Sequence, residues 1–231
     1  MSEKSPVVHE NPWRKLRQFT DARIGLGRAG ISLPTQELLQ FQLAHAQAID
    51  AVHCPLDVTQ LRADLADAGL VAHPGQVLSL GSQAPDRSIY LQRPDFGRVL
   101  SEASAQRLQQ HTENSPAPAD LPIGLVDAPS TPADGGNAVR GIRQVTDALN
   151  GGAAGWRLAP FAVVEQGRVA IGDDIGARLK AKAVLVLIGE RPGLSSPDSL
   201  GAYLTWSPHV GRNDADRNCI SNIRPAGLRY P

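Results

Sequence analysis

Three glycines near the N-terminus have the spacing of a dinucleotide-binding motif, G-x-G-x-x-G, at Gly25, Gly27 and Gly30. That motif cradles a pyrophosphate only where a hydrophobic strand precedes it and a helix follows it. Here a charged stretch, residues 13–21, precedes the glycines, and Pro34 interrupts any helix that they could open. We therefore expect a tight loop or a close subunit contact at this place rather than a nucleotide site.

Histidine and cysteine are the residue types that most often bind metals or act as nucleophiles. His45 and His53 are too far apart on a predicted helix for chelation from neighbouring turns, and Cys54 points to another side. Cys219 has no histidine near it in sequence, so a catalytic Cys–His pair has no support there. The sequence therefore predicts helix-packing or surface histidines, a packed thiol at Cys219 and no metal site.

An acidic residue, Glu190, follows the most apolar stretch of the chain, residues 183–188. Ligands of open α/β sheets bind beyond the carboxyl ends of the strands, which is where Glu190 is expected to lie. Gly189 and Gly193 permit close backbone approach on this loop, and two prolines stiffen it. The pattern indicates a ligand-binding loop; a solvated Glu-Arg turn is the structural alternative.

Two helices are predicted in a first unit, residues 1–72. The second begins after Asp57, a good N-cap, and ends at Gly69, a good C-cap. The first follows Pro34, and its apolar residues recur at helical spacing, so we expect them to share one face of the helix. That stripe consists of Leu38, Phe41, His45, Ile49 and Val52.

The second predicted unit, residues 73–231, alternates strand and helix patterns. Alternation of this kind predicts an α/β fold with a parallel, doubly wound (Rossmann-like) sheet, to which the first unit adds an N-terminal helical extension. The doubly apolar run 183–188 is typical of a buried parallel strand. The predicted strands are 77–80, 88–91, 121–127, 158–164 and 183–188, and the predicted helices are 95–108, 139–149 and 173–180.

Composition excludes several classes of partner. The chain has 231 residues, and its 23 basic and 23 acidic residues give no net charge, which argues against nucleic-acid binding. No apolar run is long enough to cross a membrane, and the N-terminus lacks the apolar core of a secretory signal. With only two cysteines, the chain is not expected to have a disulfide framework. We expect a cytoplasmic location.

Four blocks of the sequence resemble the small (light) subunits of ethanolamine ammonia-lyase. The most specific blocks contain Gly189-Glu-Arg-Pro-Gly193 and Cys219-Ile-Ser-Asn-Ile223. The resemblance extends, in order, over most of the chain. The blocks are residues 19–34, 41–53, 187–204 and 218–225.

The resemblance implies an adenosylcobalamin-dependent lyase that converts ethanolamine to acetaldehyde and ammonia by a radical mechanism. In that family the large (heavy) subunit, a TIM barrel, binds ethanolamine and carries the catalytic residues. The small subunit covers part of the cobalamin at the interface between the two. No histidine here lies two residues after an aspartate, as in the D-x-H-x-x-G motif that ligates cobalt elsewhere. The benzimidazole base is therefore expected to stay on cobalt, with no axial ligand from this chain.

Three residues of this chain match the cobalamin contacts of the family. They are Val169, Glu190 and Cys219. We expect Glu190 to accept hydrogen bonds from corrin amides or ribose hydroxyls, and Val169 and Cys219 to act through backbone groups and close packing. The resemblance supplies no catalytic residue for this chain.

The sequence departs from the family in two places. Residues 127–139 do not match the usual segment there, which puts the crossover after the first parallel strand in question, and relatives continue beyond residue 231 into a further helix. A stand-alone nucleotide- or cofactor-binding α/β module without catalysis stays as the alternative function. A stand-alone oxidoreductase has only the glycine motif in its favour. The family also leads us to expect a location inside a bacterial microcompartment.

Overall fold

A six-stranded mixed sheet forms the centre of the protein. The computed structural model describes residues 7–114, 120–126, 134–152 (134–137 by their backbone only), 155–158, 160–190, 193–194 and 199–229. The strands of the sheet are β3 (Leu78–Gly81), β4 (Ile123–Val126), β5 (Ala162–Glu165), β6 (Ala183–Gly189), β7 (Leu200–Trp206) and β8 (Arg217–Ile223). A separate two-stranded ribbon pairs β1 (Val8–His9) with β2 (Arg28–Ala29).

Helices surround this sheet. They are α1 (Thr35–His53), α2 (Val58–Asp67), α3 (Arg87–Gln92), α4 (Glu102–Asn114), α5 (Asp134–Gly151) and α6 (Ile171–Arg178). Short 3-10 helices occur at Pro12–Gln18, Pro74–Gln76, Phe96–Arg98 and Asp214–Asp216. No helix in the described ranges combines the length and the apolar character needed to cross a membrane.

The strand order is β3-β5-β4-β6-β7-β8, in which the first four strands are parallel, β7 pairs antiparallel with β6, and β8 pairs antiparallel with β7. The α/β expectation is confirmed, but a wholly parallel, doubly wound sheet is wrong. Parallel neighbours need a crossover of a dozen or more residues, usually a helix. Only the short segments 190–199 and 207–216 separate β6, β7 and β8, so these strands pair antiparallel.

Two apolar layers cover the two faces of the sheet. On one face, Leu61 and Leu65 of α2 pack with Ile142 of α5 against strand residues such as Val163 and Leu185. On the other, α4 and α6 pack against the opposite side chains of the same strands. That second layer includes Leu108, Ile171, Ile175, Val184 and Val186. Side chains alternate between the two faces of a strand, and both faces are covered here. The sequences of the central strands are therefore continuously apolar.

Close packing of α6 on the sheet depends on two glycines one helical turn apart. A β-carbon on Gly172 would collide with Val186, and one on Gly176 would collide with Pro208. The helix therefore lies nearer to β6 than any larger residue would allow. This fixes the position of the turn that precedes α6.

Capping residues explain which local predictions hold. Asp57 accepts from the backbone N–H of Gln60 at 2.9 Å and Gly69 has a φ of +67°, so α2 has the predicted ends. The predicted strand 88–91 is wrong: Asp86 accepts from the N–H of Ile89 at 2.9 Å and begins a helix instead. The helix predicted from residue 95 starts later, at Glu102, because the Asp95 carboxylate binds Arg93 at 2.7 Å.

The helix predicted after Pro34 is confirmed as α1, and most of its predicted apolar stripe is exposed. Its buried residues are Glu37, Ala44 and Ala51. The small side chains of Ala44 and Ala51 pack against the rest of the protein. Large apolar residues of the helix are exposed. Those exposed residues are Leu38, Leu39, Phe41, Leu43 and Ile49. The boundary between two units at residue 72 stays a prediction.

Candidate ligand-binding face at the edge of the sheet

Strand register brings residues from β6, β7 and β8 onto one face of the sheet. Tyr203 pairs with Val186 on one side and with Cys219 on the other. Glu190 continues the alternation of β6, because its backbone N–H donates to the Ser199 carbonyl at 2.8 Å. Glu190, Tyr203 and Cys219 therefore share the face on which α6 packs. Two of the residues predicted from sequence come together here.

Hydrogen bonds within the protein hold the Glu190 carboxylate. Its Oε2 accepts from the backbone N–H of Asn222 at 3.1 Å and from the Ser199 hydroxyl. Partial burial raises the pKa of Glu190, but hydrogen bonds from Ser199, Ser221 and Asn222 outweigh it and leave the pKa below its ordinary value. The side chain is therefore an anion at neutral pH and can only accept hydrogen bonds.

Gly201 lies directly beneath this carboxylate. A β-carbon at Gly201 would be 3.2 Å from Glu190 Oε1 and 2.9 Å from Tyr203 Cε2. The glutamate side chain therefore rests against the backbone of β7, with the tyrosine ring beside it. Only glycine leaves that space.

Tyr203 and Cys219 form the next part of the face. Burial, a hydrogen bond with Cys219 and the negative charge of Glu190 raise the pKa of Tyr203 to about 12. The phenol is therefore neutral at physiological pH and keeps its proton. Cys219 is exposed on β8, the last strand of the sheet, and neighbours Ser221 on the same strand. The packed thiol predicted at Cys219 is therefore wrong.

Val169 lies in the turn that leads into α6. It is half-buried and packs against the apolar layer to which Val186 and Tyr203 also belong. Arg168 holds this turn in place: its backbone N–H donates to Gly97 at 2.7 Å, and its guanidinium lies 4.1 Å from the centre of the Tyr90 ring. Val169 is thus on the same side of the sheet as Tyr203.

The structure brings the predicted residues Val169, Glu190 and Cys219 to one face of the sheet but does not connect all three directly. Within the described residues, no hydrogen bond connects Val169 to Glu190 or to Cys219. Pro192 and Pro197 of the predicted loop, and the atypical segment at 127–133, lie outside the described residues. Sequence reasoning missed Ser199, Gly201 and Tyr203; the alternating pattern of β7 was the available signal.

The N-terminal glycines form a tight loop, as predicted. Gly25 and Gly27 have φ angles of +61° and +78°. A β-carbon on Gly25 would lie 2.8 Å from the backbone nitrogen of Arg14, and one on Gly27 would lie 2.5 Å from the carbonyl oxygen of His9. α1 begins only at Thr35, so the glycines do not open a helix as a nucleotide motif requires.

The described residues contain no group of three or more histidine, cysteine, aspartate or glutamate side chains that could hold a metal ion. His45 contacts the Phe41 carbonyl within its own helix at 3.3 Å. The histidines of α1 thus have an ordinary structural environment.

Comparisons with known proteins place the chain in an enzyme family. The profile of the ethanolamine ammonia-lyase light chain matches residues 10–231. A relative from Ralstonia nicotianae, an ethanolamine ammonia-lyase small subunit, is 52% identical over 224 residues, covering 97% of this chain and 80% of its own length. Small subunits from Pseudomonas fluorescens and Pseudomonas aeruginosa are 51% and 52% identical, covering 99% and 96% of this chain and 81% and 78% of their own lengths.

These matches first define the class: the chain is a subunit of a lyase. More particularly, it belongs to the ethanolamine ammonia-lyase light-chain family, over nearly its whole length.

Proposed function

We propose that this chain completes the adenosylcobalamin site of ethanolamine ammonia-lyase at an interface with the large subunit. The large subunit binds ethanolamine and carries the catalytic residues, and this chain contributes none. The observation that carries the proposal is the ionised Glu190 carboxylate, which is half-buried beside the exposed strand β8. When bound, the cofactor supplies radical chemistry through homolysis of its cobalt–carbon bond, which a protein side chain cannot provide.

The chemistry of the face fits this cofactor. Corrin side-chain amides and the ribose hydroxyls are hydrogen-bond donors, and an anionic carboxylate is a strong acceptor for them. The exposed residues Cys219 and Ser221 leave the edge of the sheet open to a large ligand. We propose that Glu190 binds such a donor, and that Cys219 and Val169 contribute packing and backbone contacts. A base-on cofactor, without an axial ligand from this chain, fits the absence of a D-x-H-x-x-G motif.

The surface of α1 supports a protein partner. Leu39 and Leu43 are each 59% exposed and lie one turn apart, away from the buried side of the helix. The helix has no lysine or arginine and only two acidic residues, Glu37 and Asp50. Depletion of charge with exposed large apolar side chains is typical of the centre of a protein interface. We propose that the large subunit covers this helix.

Co-expression with a candidate large subunit tests the proposed function. We expect the two chains to purify together and to release acetaldehyde from ethanolamine when adenosylcobalamin is added. Full activity of the large subunit alone would contradict the proposed role.

The alternative is a stand-alone nucleotide- or cofactor-binding module. Tight binding of adenosylcobalamin or of a dinucleotide by the isolated chain would favour it. The cytoplasmic location, inside a microcompartment, is part of the proposal, and fractionation of host cells would test it.

A further inference from the structure

We propose that Ser199 and Gly201 are positioning residues, which hold the Glu190 carboxylate in the orientation that binds the cofactor. This inference rests on the proposed function and adds to it two residues that contact Glu190 within this chain. Ser199 directly precedes β7, and Gly201 is the second residue of that strand and pairs with Ile188 of β6.

Ser199 holds Glu190 through two opposite contacts. Its hydroxyl donates to Oε2 of the carboxylate, and its carbonyl accepts the Glu190 backbone N–H at 2.8 Å. The serine is 3% exposed, so water cannot easily replace its hydroxyl. Both the backbone and the side chain of Glu190 are therefore fixed relative to β7.

Gly201 determines how closely the carboxylate approaches the sheet. A β-carbon there would be 3.3 Å from Glu190 Cγ, 3.2 Å from Oε1 and 2.9 Å from Cε2 of Tyr203. Alanine would therefore push the carboxylate away from β7. Because Asn222 and Ser199 hold Oε2, such a displacement would stretch both of their hydrogen bonds.

The surroundings of Glu190 orient its charge without neutralising it. Tyr203 on β7 and Cys219 on β8 are the titratable groups that face it in the described part of the site, and neither is a cation. In the described part of the site, the Ser199 hydroxyl and the Asn222 backbone N–H hold the carboxylate. An oriented carboxylate that keeps its charge is well suited to N–H or O–H donors of a neutral ligand, the class to which corrin amides and ribose hydroxyls belong.

The test measures binding of adenosylcobalamin to the assembled two-subunit protein, by equilibrium dialysis in the dark and without ethanolamine. We expect Ser199→Ala and Gly201→Ala each to raise the Kd about tenfold, the size expected for the loss of one charge-assisted hydrogen bond. Ser199→Thr keeps the hydroxyl and should restore much of the affinity. Matched controls are Ser88→Ala, on the exposed surface of α3, and Gly81→Ala, where a β-carbon would meet open space.

The decisive measurement is a double-variant cycle. If Ser199 acts through Glu190, then Ser199→Ala has no further effect on the Kd in a Glu190→Ala background, whereas a general structural role would weaken both backgrounds equally. Additive losses, or unchanged affinity in Ser199→Ala and Gly201→Ala, would overturn the inference. An unchanged Kd in Glu190→Ala alone would instead contradict the proposed function.

Discussion

The guanidinium of Arg217 lies 2.6 Å from the carboxylate of Asp173, and the two side chains are only 2% and 3% exposed. Arg217 also donates to the Thr205 hydroxyl at 3.1 Å. This ion pair connects the first residue of β8 to the first turn of α6. The strand that carries Cys219 and the helix that follows Val169 are therefore fixed to each other from within the protein.

Breaking this pair should destabilise the fold strongly. Arg217→Met leaves the buried Asp173 carboxylate without its cation, a change that typically costs about 3–5 kcal/mol. Urea unfolding of the purified chain, followed by circular dichroism, measures the loss. Arg93→Met is the matched control because the Arg93–Asp95 pair is exposed, and it should leave the midpoint unchanged. Equal midpoints for the two variants would contradict the structural role of Arg217.

Acid should weaken the attachment of the N-terminal segment to α1. Arg14 and Arg17 donate to Glu37 at 2.9 and 2.8 Å. Burial raises the pKa of Glu37, but the two guanidiniums outweigh it and lower the pKa below its ordinary 4.5. The folded protein thus binds the Glu37 proton more weakly than the unfolded chain does. The stabilisation is complete above pH 4.5 and is lost as the pH falls through the lowered value.

Glu37→Gln should therefore lower the Tm at pH 7, and its difference from the wild type should shrink as the pH falls below 4.5. Thermal unfolding across this range checks the prediction, with the exposed Glu102→Gln as control. A difference from the wild type that grows towards acid pH would show that the sign is wrong.

Sequence patterns predicted the parallel core better than its edge. The run 183–188 is apolar on both faces, and it forms the buried strand β6 as expected. Neither β7 nor β8 was predicted. The strand β8 is almost wholly exposed and lacks an apolar stripe that would indicate a strand. Periodicity placed the apolar residues of α1 on one side of the helix, but it leaves open what covers that side.

The candidate site could not be assembled from spacing alone. Glu190 and Cys219 are far apart in sequence, and only the register of β6, β7 and β8 brings them onto one face. Family resemblance selected these residues and Val169, but it gave no reason for Ser199 or Gly201. Their contribution depends on the side chain of Glu190, just after β6, lying against the backbone of β7, which is a tertiary contact.

Charges on the exposed side of α1 should prevent assembly without unfolding the chain. In the double variant Leu39→Glu with Leu43→Glu, both positions are 59% exposed, so we expect a change in the free energy of unfolding within about 0.5 kcal/mol. In the complex the two carboxylates would be buried unpaired, so co-purification with the large subunit should be lost. Gln106→Glu with Gln110→Glu places the same charges on the exposed side of α4 as a control. Normal assembly of the leucine variant would exclude α1 from the interface.

Replacement of Glu190 should weaken cofactor binding by an amount that does not depend on pH in the physiological range. Glu190→Ala removes a charged acceptor, and we expect it to cost about 1.5–3 kcal/mol of adenosylcobalamin affinity in the two-subunit protein. Because hydrogen bonds from Ser199, Ser221 and Asn222 outweigh burial and keep the pKa of Glu190 below its ordinary 4.5, the carboxylate is ionised at both pH 6 and pH 8. The ratio of the variant and wild-type Kd values should therefore be the same at these two pH values. A ratio that falls towards 1 at pH 6 would show that Glu190 is protonated there and is not held as the structure indicates.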